Sequence, residues 1–349
     1  MTSFKIKKHL IGSNFPTFIV AELSANHNHS FEIAVKTIKA AKMAGADAIK
    51  LQTYTADTMT IESHRPEFLI KNQTLWDGKT LYELYQEAYT PWEWQPKLKE
   101  IAEKEGLICF STPFDKKAVD FLEKMNVPAY KIASFEVRDI PLIEYAASTG
   151  KPIIISTGMA TLSDIEEAVN ACRRVGNNQI ALLKCTSQYP APIEEANLNT
   201  IPNMASTFDV VVGISDHTME LAVPIAAVAL GAKIIEKHFI LDRSIGGPDA
   251  AFSLNPQEFE QMVQSVRKAE KALGKVCYNL SEKTKQNFIF SRSLFAVKDI
   301  KAGEAFTEEN IRSIRPGYGL PPKYLKDILG KKASRDIEKG TPLSWALIS

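Results

Sequence analysis

The segment from Val210 to Phe239, VVVGISDHTMELAVPIAAVALGAKIIEKHF, constrains the fold more tightly than any other stretch. Two apolar runs, VVVGI and AKIIE, end in the polar clusters Ser215-Asp216-His217 and Glu236-Lys237-His238. Between them, Met219 to Leu230 reads as one helix stopped by Gly231. Short apolar runs of this kind fit parallel strands buried on both faces. The unit is therefore strand–helix–strand, and both strands end on the same side. His217 and His238, 21 positions apart, become neighbours at the carboxyl end of one sheet. Such a pair serves either as hydrogen-bonded core imidazoles or as metal ligands, and Asp216 and Glu236 beside it favour a metal. With oxygen ligands around two imidazoles, Mn²⁺ or Mg²⁺ suits the pair better than structural zinc, and Co²⁺ is a further candidate.

The same unit recurs along the chain. Strands are expected near 17, 47, 107, 129, 152, 179, 210 and 232, each followed by helical sequence. Eight strand–helix pairs in roughly 260 residues predict a (β/α)8 TIM barrel. The competing architecture, an open doubly wound sheet, would carry a glycine-rich turn after its first strand. Glu22-Leu23-Ser24-Ala25-Asn26 is not such a turn. Residues 53–77 form a long polar and aromatic excursion, the kind of loop that acts as a lid or binding loop. The barrel is expected to span 1–274, with a polar linker over 275–287. Residues 288–349 then form a small, mostly-β module with short strands at 292–297 and 311–315. Two similar turns, Asp299-Ile300-Lys301-Ala302-Gly303 and Asp336-Ile337-Glu338-Lys339-Gly340, mark this module.

Barrel active sites lie at the carboxyl ends of the strands, and polar residues collect there in this sequence. They are Glu22, Asn26 and His27; Lys50 and Gln52; Ser111 and Thr112; Lys131, Ser134 and Glu136; Ser156 and Thr157; Lys184, Thr186, Ser187 and Tyr189; then the two histidine clusters. Polar loops after strands are common to every barrel, but lysines on the strands are not. A buried lysine is costly unless paired. Several at one mouth point to an anionic ligand, with Ser and Thr hydroxyls as further phosphate donors. Glu22, at the same mouth, is placed for general acid/base work.

The net charge of +1 gives no electrostatic case for nucleic acid or an anionic membrane. Cys109, Cys172, Cys185 and Cys277 have no CxxC spacing. Free thiols, with no apolar signal core in MTSFKIKKHL, predict a cytoplasmic protein. No apolar run is long enough to span a bilayer.

The strings AELSANHNHS, AGADAIKLQTYTAD, PAYKIASFE, PIIISTGMAT, LLKCTSQYP, VGISDHT, GAKIIEKHF and GGPDAAFSL closely resemble the sialic acid synthase family. The segment FSRSLFAVKDIKAGEAFTEENIRSIRPGYGL resembles its C-terminal antifreeze-like (SAF, β-clip) domain. Within the family, Glu22-Leu23-Ser24-Ala25-Asn26-His27 and the 75–94 segment are similar to the subgroup that makes pseudaminic acid.

The resemblance implies condensation of phosphoenolpyruvate with an N-acetylated amino sugar, here 2,4-diacetamido-2,4,6-trideoxy-L-altrose. It implies His217 and His238 as metal ligands and Glu22 as general acid/base. Lys50, Thr112, Lys131, Ser134, Ser156, Ser187 and Ser215 would bind phosphoenolpyruvate, with Ser187 standing where sialic acid synthases have Asn. Gln52, Glu136, Tyr189 and Asp249 would bind the sugar. Arg315 would reach the barrel of a partner subunit, which implies a homodimer with swapped C-terminal domains. Competing expectations are N-acetylneuraminate or legionaminate synthesis by the same chemistry, a Schiff-base aldolase using Lys131 or Lys184, and a non-catalytic sugar- or ice-binding protein.

Overall fold

The computed structural model describes residues 3–71 and 75–349. Its chain divides into two compact units, Met1–Gly274 and Lys275–Ser349. The first opens with an antiparallel hairpin, β1 (Phe4–Ile6) and β2 (His9–Ile11). Among the described residues, eight parallel strands then close into a barrel. They are β3 (Phe18–Glu22), β4 (Ala48–Thr53), β5 (Ile108–Pro113), β6 (Tyr130–Ile132), β7 (Ile153–Ser156), β8 (Ile180–Cys185), β9 (Val211–Asp216) and β10 (Ile234–His238), which pairs back onto β3. Helices alternate with them, as the sequence pattern predicts.

Local chemistry sets the helix ends. Ser30 caps Phe31–Met43, its side chain accepting from the Ile33 amide. Thr161 and Asp164 cap Leu162–Arg174 reciprocally. The helix between the two histidine strands is shorter than expected, Ala222–Ala229. Residues before it fold back onto the end of β9, where the Thr218 amide donates to Asp216.

Strand alternation sorts the side chains into two cores. Ile19, Ala21, Ile49, Leu51, Val212, Ile214 and Ile235 face outward and pack against the helices. Phe18, Val20, Ala48, Ile108, Phe110, Ala129, Ile154, Ala181, Leu183, Val211 and Ile234 fill the barrel interior. Gly213 faces inward, where a Cβ would lie 2.4 Å from the Ile234 carbonyl oxygen. The β1–β2 hairpin was not foreseen. Its Phe4, Ile6 and Ile11 join the interior core, so the amino-terminal end of the barrel is plugged by apolar side chains.

The 53–77 excursion is more ordered than its composition suggests, although its residues 72–74 lie outside the described residues. It holds a helical turn, Ala56–Met59, and a pinch in which the Ile70 amide donates to the Lys79 carbonyl. The Trp76 indole N–H donates to the Pro248 carbonyl at 3.1 Å.

In the second unit, β11 (Ser293–Ala296) and β12 (Ile311–Ile314) pair antiparallel. Leu294, Ile300, Phe306, Ile311, Ile328, Ile337 and Leu343 form its core. The two similar turns face one another: the amides and carbonyls of Ile300 and Ile337 exchange bonds of 2.8 Å. The stretch expected as a plain linker carries a short helix, Glu282–Gln286.

Candidate active site

The residues that continue the inward-facing rows at the carboxyl ends are no longer apolar. Glu22 follows Val20, Lys50 follows Ala48, Thr112 follows Phe110, Lys131 follows Ala129, and Ser156 follows Ile154. Ser215 and Glu236 complete the ring, and all seven are buried. Their charges alternate. Lys50 Nζ lies 2.5 Å from Glu22 Oε2 and 3.6 Å from Glu236 Oε1; Lys131 Nζ lies 3.6 Å from the same Glu236 oxygen. Lys50 also donates to Thr112 at 3.2 Å, Ser215 to Glu236 at 3.1 Å, and Gln52 to Glu22 at 3.0 Å.

Burial dominates the ionisation of this chain of charges, and neighbours decide the sign. Glu22 is pushed up to about 7 by desolvation, against the pull of Lys50 and with the push of Glu236. Glu236 is held below its ordinary value because Lys131 and Lys50 together overcome its burial. Lys50 is raised, since Glu22 and Glu236 outweigh its desolvation, whereas desolvation lowers Lys131. Half-buried Glu136 is also raised to about 7 by burial, with Lys131 opposing. Two carboxyls near neutrality beside two lysines can both move protons and bind an anion.

The two imidazoles meet one step above this ring, with centroids 5.3 Å apart. His217 Nδ1 lies 3.0 Å from the Thr186 carbonyl oxygen, so Nδ1 carries a proton, and, against its burial, Cys185, the Thr186 carbonyl and Asp216 raise the ring's pKa above its ordinary value. His238 Nδ1 is buried and has no hydrogen-bond partner among the described residues; Asp249 Oδ2 is 3.9 Å away. Burial, His217 and the nearby lysines hold His238 well below the usual imidazole range, so it is neutral. Tyr189 packs on His217 at 4.4 Å between centroids, and Phe252 on His238 at 4.9 Å. Asp249 accepts from the Ser24 hydroxyl and the Ala25 amide. Ser134 accepts from the Gly158 amide at 3.2 Å, and Ser187 Oγ lies 3.7 Å from Cys185 Sγ. A Cβ on Gly158 would collide with Ser187 Oγ at 2.2 Å, so glycine lets these groups converge.

Most of the candidates named from sequence thus sit in one hydrogen-bonded and stacked assembly. Ser156 Oγ is buried and without a partner among the described residues. Arg315 belongs to the second unit, where it is exposed.

Several polar neighbours turn away. Asn26 donates to the Phe239 carbonyl and to Ser253, and His27 bonds Thr90, so both pin loops rather than flank Glu22. Lys184 points out of the barrel, its ammonium on the Cys185 carbonyl at 2.9 Å. Asp216 faces Lys237 behind the strands at 2.6 Å and is not beside the imidazoles. The sequence reading missed the bridging role of Glu236 and the inward thiol of Cys185. That thiol is held at about 7: burial pushes it up, but His217, 3.8 Å away, together with Ser134 and Lys131, pulls it down further. Alternation was the available signal, since Ala181 and Leu183 share a face with Cys185 and not with Lys184.

The NeuB family model matches residues 37–278, and the SAF domain model matches 291–349. This chain belongs to the NeuB family. It is 51% identical over 326 residues to the pseudaminic acid synthase of Campylobacter jejuni subsp. jejuni serotype O:23/36, covering 93% of this chain and 95% of that one. It is 50% identical to the pseudaminic acid synthase of Helicobacter pylori, over 94% of this chain and 97% of that one. The crystal structure of an N-acetylneuraminic acid synthetase from Leptospira borgpetersenii superposes with a TM-score of 0.73 at 31% identity, covering 82% of this chain and 95% of that one. Among the described residues, no helix is long and apolar enough to cross a membrane.

Proposed function

We propose that this enzyme is a pseudaminic acid synthase. It joins phosphoenolpyruvate to 2,4-diacetamido-2,4,6-trideoxy-L-altrose and consumes water, releasing the nine-carbon 2-keto acid and phosphate. The observation that carries the reading is the buried Glu22–Lys50–Glu236–Lys131 chain beneath the His217–His238 pair, in a chain half identical to pseudaminic acid synthases.

Lys50 and Lys131 hold the phosphate and carboxylate of phosphoenolpyruvate, assisted by the hydroxyls of Thr112, Ser134, Ser156, Ser187 and Ser215. Gln52, Glu136, Tyr189 and Asp249 orient the sugar, so that its open-chain aldehyde carbon faces C3 of phosphoenolpyruvate. C3 attacks that carbon, water adds at C2, and collapse breaks the C2–O bond to expel phosphate. Glu22, poised near pH 7, takes the proton from the water that adds at C2.

The unpartnered His238 Nδ1 and His217, whose Nδ1 is held by the Thr186 carbonyl, fit a divalent ion, Mn²⁺ before Mg²⁺ or Co²⁺. No third His, Cys, Asp or Glu joins them among the described residues, so water and substrate oxygens would complete the shell. Such an ion supplies Lewis-acid polarisation of the sugar aldehyde.

The protein works as a cytoplasmic homodimer in which Arg315 completes the partner's sugar site. Exposed Val276, Tyr278, Leu280, Phe288 and Phe290 in the second unit support a protein partner.

Phosphate release measured over a panel of N-acetylated sugars, with and without EDTA, tests the reading. Turnover of the altrose substrate alone, abolished by EDTA and restored by Mn²⁺, is expected. Turnover only of N-acetylmannosamine or of a 2,4-diacetamido mannose derivative would assign the chain to sialic or legionaminic acid synthesis instead.

A further inference from the structure

The two strands that carry the imidazoles are joined by three successive side-chain rungs. The register sets Glu236 opposite Ser215 and Lys237 opposite Asp216. Ser215 and Glu236 face inward and share a hydrogen bond of 3.1 Å. His217 and His238 face inward one step further on. Asp216 and Lys237 lie between these rungs in sequence and face the other way, behind the site.

This middle rung is a fully buried ion pair, with Lys237 1% and Asp216 3% exposed. Lys237 Nζ donates to Asp216 Oδ2 at 2.6 Å and to the Thr218 carbonyl. Asp216 Oδ1 accepts from the Thr218 amide at 2.9 Å. The pair therefore ties β10 to β9 and folds the chain back immediately after His217. Each of its members is covalently next to one of the two histidines.

The two rings differ in their own anchoring. His217 is oriented by the Thr186 carbonyl, whereas His238 Nδ1 has no such partner among the described residues. His238 is held by its stacking on Phe252 and by the backbone of β10, which pairs with β3 on one side and which the Lys237 side chain ties to β9 on the other.

We infer that Asp216 and Lys237 are positioning residues: their buried cross-strand pair sets the separation and orientation of His217 and His238 for a shared divalent cation. The cation is part of the proposed function above, so the test reads the clamp with and without metal. Removing one partner would strand a buried charge and endanger folding, whereas replacing both by apolar side chains of similar size does not. The informative variant is therefore the double substitution Asp216→Leu/Lys237→Met, with Lys237→Arg as the conservative control.

In the metal-free protein, the imidazole Cε1 NMR signals of the six histidines are compared between wild type and double variant. The clamp predicts shifted or broadened signals for His217 and His238 and unchanged ones for the other four. Mn²⁺ titration followed by electron paramagnetic resonance should then show affinity reduced about 10- to 100-fold, as for other residues that orient metal ligands. Lys237→Arg should recover most of it, and the double variant should lose kcat with little change in the KM for phosphoenolpyruvate. Unchanged His217 and His238 signals in a folded double variant would overturn the clamp whatever the metal result. Shifted signals with no Mn²⁺ bound to the wild type would sustain the clamp's geometry and overturn its purpose, together with the metal assignment.

Discussion

The two ends of the barrel are built from the same strands and differ in what fills them. At the amino-terminal end, Phe4, Ile6 and Ile11 of the hairpin seal the interior against Phe18, Ile108 and Val211. At the carboxyl end, the same inward rows continue as Glu22, Lys50, Lys131, Ser215 and Glu236, buried as fully as the apolar layer below. The lower end stabilises the fold by removing apolar surface from water. The upper end opposes folding unless every charge is partnered, and its chain of alternating charges supplies the partners. The division explains how the enzyme can keep several ionisable groups dry and yet stay folded: the cost is met one layer below.

That contrast can be broken from either side, and the largest effect is expected at the upper end. Replacing His217 and His238 together by alanine should reduce phosphate release to background and abolish tight Mn²⁺ binding, while thermal unfolding changes little. A substantial residual rate would move the chemistry to another site. Glu22→Gln keeps the shape and the bond from Gln52 but removes the titrating proton. It should lower kcat by about 10² to 10⁴ with the overall fold intact by circular dichroism. An undiminished kcat would remove Glu22 from proton transfer.

The lower end should show the opposite pattern. Ile6→Ala opens a hole in the plug and should cost about 2–5 kcal/mol of stability in urea unfolding. Its kcat/KM at 25 °C should stay within about twofold of wild type, because no ring residue moves. A large loss of kcat/KM in the folded variant would show that the two ends are coupled.

The smallest effect sharpens the electrostatic half of the comparison. Glu136 has a folded pKa raised from 4.5 to about 7 by burial. A raised carboxyl pKa adds stability that is fully present below pH 4.5 and is lost as pH rises through about 7. The Tm difference between wild type and Glu136→Gln should therefore move against wild type across that window. A pH-independent difference would mean that Glu136 is solvated enough to ionise normally.

Much of the site was legible before folding. Eight apolar runs spaced by helical segments specify the barrel, and the polar residue that ends each run marks the mouth. What the pattern did not show was parity at each strand end. Lys184 and Cys185 are adjacent, as are Asp216 and His217, and only one of each pair faces inward. The phase can be counted from the apolar residues upstream, but a strand end sits where alternation gives way to a loop, so the count is secure only once the register is known. The hairpin escaped notice because three-residue strands bearing Lys5, Lys7 and Lys8 carry too short an alternation to read as strands.

The sequence by itself determined the fold class, the family and the set of groups available at the mouth, because strand and helix periods and ordered motifs are local properties of the chain. Tertiary structure decided how those groups divide the work. Closure of β10 onto β3 places His238 beside Glu22, and the loop carrying Asp249 returns to bond Ser24, 225 positions away. Burial then sets which carboxyl is near neutrality and which imidazole is neutral. Those outcomes depend on distances across the ring and on the exclusion of water, neither of which exists until the barrel has closed.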